Sequence, residues 1–125
     1  MGTTQSASAI HTCEEPETFI RAVGNVSINK GTNAGNFALA LVVVRDGFTP
    51  LTMSITNNVE LYEADRDILW SFAGQTASGM TPTTVPLDTK GMRKLQKGDT
   101  LYFIGLGNSS DIADYVGVLN MFFKQ

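Results

Sequence analysis

Four of the nine Lys and Arg residues in this 125-residue chain fall within eight positions, Lys90, Arg93, Lys94 and Lys97, immediately before the apolar run "TLYFIGLG". Clustered cations suit a phosphate backbone or an acidic neighbour, and lysines beside a strand also discourage unwanted edge pairing. Both roles are open at this stage. If residues 90 to 95 are extended, Lys90 and Lys94 share a face and Arg93 points the other way. The net charge of −3 confines any nucleic-acid contact to such a local patch.

Catalytic chemistry has few parts to draw on. His11 and Cys13 are the only residues of their kinds, and a nucleophile needs a base that its fold holds within reach. A Cys and a His two residues apart also fall short of the four ligands of a structural zinc site. We therefore expect no enzyme and no cofactor. In "EADRD", Glu63, Asp65 and Asp67 gather oxygen ligands of the kind a hard cation takes, without the spacing of a helix–loop–helix calcium site. A divalent ion near Asp65 and Asp67 is left open beside a solvated loop. "GLGNSS" begins like a dinucleotide-binding turn, yet only fifteen residues follow Ser110, too few for a helix and a second strand.

The elements that must position these residues read as strands. Residues 1–17, polar and then acidic, are expected to form a mobile arm ahead of one domain over 18–125. In "TFIRAVGNVSINK", Ile20, Ala22, Val26 and Ile28 alternate with Arg21, Asn25, Ser27 and Asn29, the period of a half-buried strand. "FALALVVVR" is apolar on both faces, as a central strand covered on both sides would be. Further candidates are 51–56, 59–63, 67–74, 84–95, 99–107 and 114–124, which brings the count to eight. Trp70 and Phe72 share a face, suited to the core or to a subunit contact. Leu101, Phe103 and Ile104 should anchor the last core strand but one. Short strands separated by Gly, Asn, Asp, Ser and Pro predict an all-β sandwich or barrel. The longest apolar run, eight residues from Phe37 to Val44, is far below the about twenty that a membrane-spanning helix needs.

The succession "FALALVVVRDGFTP", "LYEADRDILWSF", "TKGMRKLQKGDTLYFIGLG" and "YVGVLNMFFK" resembles the capsid proteins of small circular single-stranded DNA viruses. The resemblance implies an eight-stranded antiparallel jelly-roll sandwich. It also implies self-assembly into an icosahedral shell inside the host cell, with identical subunits as partners, single-stranded DNA as cargo and the virion as location. Such proteins begin with an Arg-rich arm that faces the genome, whereas this chain has no Lys or Arg before Arg21. That departure leaves DNA a weaker expected partner than identical subunits. A carbohydrate- or receptor-binding jelly-roll module is the competing expectation.

Overall fold

The structure, a computed structural model, describes residues 4–30, 35–48, 54–55, 59–60, 68–76, 83–89, 91–107 and 112–125. Among these, every regular element is a strand: β1 (Thr4–Thr12), β2 (Glu17–Lys30), β3 (Gly35–Val44), β4 (Ser54–Ile55), β5 (Val59–Glu60), β6 (Ile68–Thr76), β7 (Thr83–Asp88), β8 (Arg93–Leu95), β9 (Thr100–Gly107) and β10 (Ile112–Lys124). Eight of them build two antiparallel sheets. One has the order β1-β9-β3-β6; in the other, β10-β2-β7, β8 continues the β7 side of β2. Strands from the start, middle and end of the chain are thus neighbours in one sheet, as the crossovers of a jelly roll require.

The two inner faces form the main core. From β3 it takes Phe37, Leu39, Leu41 and Val43, from β2 Phe19, Ala22, Val26 and Ile28, from β7 Val85 and Leu87, and from β9 Leu101. The alternate residues of β3, Ala38, Ala40, Val42 and Val44, are buried too, clustered with Ile104 on the outer face. The β4–β5 pair lies beside β3 and β9, which carry this second cluster. The continuous apolar run of β3 therefore has the cause expected of it: both faces are covered.

Three local expectations are corrected. Residues 4–12, assigned to a mobile arm, are strand β1, paired antiparallel with β9 from Thr4↔Gly107 to Thr12↔Thr100. Its small residues, "TQSASA", supply little apolar signal, so backbone pairing to β9 dominates its placement. The connection after it is also tied down, because Cys13 is buried and exchanges backbone hydrogen bonds with the turn before β9: Cys13 N–H to Asp99 O at 2.8 Å, Gly98 N–H to Cys13 O at 2.9 Å.

Residues 84–95 are two strands instead of one. Thr89 folds in to β2, its N–H donating to Ala22 O at 3.1 Å and its Oγ1 accepting from Ala22 N–H at 3.0 Å, and Gly91 then turns the chain at a φ of 80°. That left-handed conformation strains other residues. Finally, the β2–β10 register shifts between Arg21 and Phe19, so Phe19, not Ile20, is fully buried at that end of β2. A bulge exchanges which side chains face inward.

Candidate functional site

The basic cluster is spread over β8 and the turn that follows it. Lys90 lies outside the described residues. Arg93 and Lys94 stand opposite Phe19 and Thr18 of β2, with Arg93 half-buried, Lys94 exposed and Leu95 in the core. Arg93 and Lys94 therefore point to opposite faces, as alternation requires. Lys97 occupies a turn from Gln96 to Asp99, closed by Asp99 N–H to Gln96 O at 3.0 Å.

Asp99 organises this turn. Its carboxylate is almost fully buried, 3% exposed, and accepts the Gln96 amide at 2.8 Å, the Asp46 amide at 3.2 Å and Arg45 Nη1 at 2.6 Å. Arg45 Nη1 also donates to the Lys94 carbonyl at 3.1 Å, so one ion pair ties the end of β3 to β8 and to the entry of β9. Burial pushes the Asp99 carboxyl up. The Gln96 amide, Arg45 and the Asp46 amide outweigh it, holding the group below the ordinary carboxylate range. Gly98, at a φ of 93°, completes the arrangement, since a Cβ there would lie 2.5 Å from Asp46 Cγ.

The surroundings of Lys97 are acidic. It shares a concavity with His11, Glu14, Glu15 and Glu17, one lysine against three carboxylates. His11 Nε2 is bonded to Glu17 Oε1 at 2.5 Å, and its ring stacks on Phe123 at 4.3 Å, so the lone histidine fastens β1 to β2 and β10. Cys13, two residues on, donates its thiol to Glu15 O at 2.7 Å. Burial first, and Glu17 second, push this thiol up, which disfavours the reactive thiolate. Lys94 and Lys97 thus share one margin of the sandwich without forming a uniformly basic groove. Glu63, Asp65 and Asp67 lie outside the described residues.

Trp70 and Phe72 sit on the inner face of β6, an edge strand among the described residues, stacked on each other and, through Phe72, on Phe37. They form a rim of the core, half-buried and exposed respectively.

The other open side of the sandwich is the more distinctive surface. β10 is hydrogen-bonded only to β2 among the described residues, and its outer face exposes Val116 (55%), Val118 (71%) and Phe122 (53%). Beside them on β2 and β7 are polar neighbours, Asn25, Ser27 and Thr84, and the bidentate pair of Arg21 with Asp88 at 2.9 and 2.7 Å. On the inner side, the gap between β1 and β10 opens into an apolar cleft of about 230 Å³, walled by Ile10, Val26, Phe103, Leu119 and Met121. A long edge strand with bare apolar side chains normally acquires a partner.

Sequence reasoning did not single out this surface. "YVGVLNMFFK" is apolar on both faces, which reads as a covered strand, and edge position depends on pairing partners distant in the chain. Arg45 and Asp99 were missed as well, although an acid directly after the turn glycine in "KGDT" was an available cue. Comparison with known protein families, characterised proteins and solved structures finds no match to this chain.

Proposed function

We propose that this chain is a non-enzymatic coat protein that assembles with identical copies into an icosahedral shell around a small single-stranded DNA genome, forming the virion inside the host cell. The observation that carries this reading is the apolar stripe of Val116, Val118 and Phe122 on an edge strand of a jelly roll, beside an open apolar cleft. Surfaces of that composition are buried in permanent assemblies, which are larger and more apolar than transient contacts. The order of strand and turn elements, similar to that of small circular single-stranded DNA virus capsids, supplies the shell and the genome. We assign any DNA contact to the basic residues Lys90, Arg93, Lys94 and Lys97 of the sequence, and the carboxylates of Glu14, Glu15 and Glu17 around Lys97 keep it weak.

Electron microscopy and light scattering at physiological salt test the reading. Uniform closed particles are the expected result. A monomer at every concentration and salt condition would overturn it, as would specific capture of a glycan by an isolated monomer.

A further inference from the structure

We propose that two copies pair edge to edge through β10, antiparallel about a two-fold axis at Leu119, to make one continuous sheet across the dimer. This rests on the self-assembly reading above and names the surface through which it begins. Three observations support it. Among the described residues, β10 is paired along one edge only, to β2, so a second strand satisfies a whole row of donors and acceptors on the other. No Lys or Pro interrupts the strand before Lys124, and these are the residues that ordinarily blunt an edge.

Its only formal charges are at its two ends, Asp114 and Lys124. An antiparallel copy centred on Leu119 sets residue 114 of each chain opposite residue 124 of the other, a pairing of opposite charges made twice. The same register sets Val116 opposite Phe122, and Val118 opposite Asn120, keeping outer face with outer face. The two exposed stripes then merge, and the clefts walled by Leu119 and Met121 meet across the axis.

Disulfide trapping reads the register directly. In a Cys13→Ser background, Val116→Cys and Phe122→Cys proteins are oxidised separately and mixed. A covalent dimer from the mixture, with little from either alone, is expected, because strand partners lie within disulfide reach. Efficient trapping of Val118→Cys alone would overturn the register, and no trapping in the mixture would overturn the pairing. Sedimentation velocity supplies a second reading. Asp114→Lys and Lys124→Asp should each weaken the dimer by about tenfold, and the double variant should restore it, since each reversal makes two like-charge pairs. Particles that form unchanged in both single variants, without trapping, sink the β10 pairing and leave the shell reading standing. Trapped dimers that never form particles sink the shell reading and leave the pairing.

Discussion

Replacing Asp99 by Asn tests whether one buried carboxylate holds the basic margin together. The side chain is nearly isosteric, so packing is unchanged while the charge and one acceptor are lost. With its oxygen retained toward Gln96 N–H and Arg45, the amide presents its NH2 to the Asp46 N–H, donor against donor, at the 3.2 Å contact. Charge-assisted hydrogen bonds contribute about 1.5–3 kcal/mol each when a partner is removed. Arg45 is about one-third exposed, so solvent screening reduces its share. The net expectation is a loss of about 2–3 kcal/mol. With a urea slope of about 1.5 kcal/mol/M, the unfolding midpoint should fall by about 1.3–2 M at pH 7.

The pH dependence carries a sign. The folded-state pKa of Asp99 is depressed, so its contribution is present above the unfolded carboxylate range and is lost as pH falls through the folded value. The gap between parent and variant should narrow in acid. A gap under about 0.5 kcal/mol at pH 7, within the range of ordinary surface substitutions, would refute the reasoning, and so would a gap that persists unchanged in acid.

Gly24→Ala should loosen β10, because a Cβ at Gly24 would lie 1.8 Å from the Val118 carbonyl oxygen; we expect a loss of about 3 kcal/mol, the upper end of the usual overpacking range, read by thermal unfolding, with faster hydrogen exchange in β10. Cys13→Ser should assemble normally, its hydroxyl taking over the bond to Glu15 O, and in the parent a thiol reagent should label Cys13 only as fast as the protein opens. Replacing Lys90, Lys94 and Lys97 together by Gln should flatten the salt dependence of DNA binding while leaving thermal stability within about 0.5 kcal/mol, measured by titration at several ionic strengths; an unchanged slope would assign these lysines to solvation alone.

What could be read in the sequence was whatever local periodicity determines. β3 declared itself because eight consecutive apolar residues need cover on both sides, and Phe37 to Val44 receive it. β9 behaved similarly, with Leu101 and Ile104 fully buried on opposite faces. Hidden features depended on distant partners. β1 has no apolar stripe and is placed by pairing with β9, and the Phe19-for-Ile20 exchange follows from a bulge against β10. The basic cluster was visible as composition, but the carboxylates facing Lys97 come from a segment about eighty residues away, and no spacing within 88–108 announces them.

The position of β9 between β1 and β3 also sets the order in which the molecule can be made. β3 has one neighbour in β6, but its other side, and the whole of β1, stay unpaired until residues 100–107 have been synthesised. At about 5–20 residues per second, the most apolar strand of the chain waits several seconds on the ribosome before its sheet can close. Almost all its native pairings span long sequence distances, which makes unaided folding slow as well. A chain cut short before residue 100 would leave β3 with a bare edge and β1 with no place to bind, so incomplete products should be captured by chaperones or aggregate instead of entering an assembly.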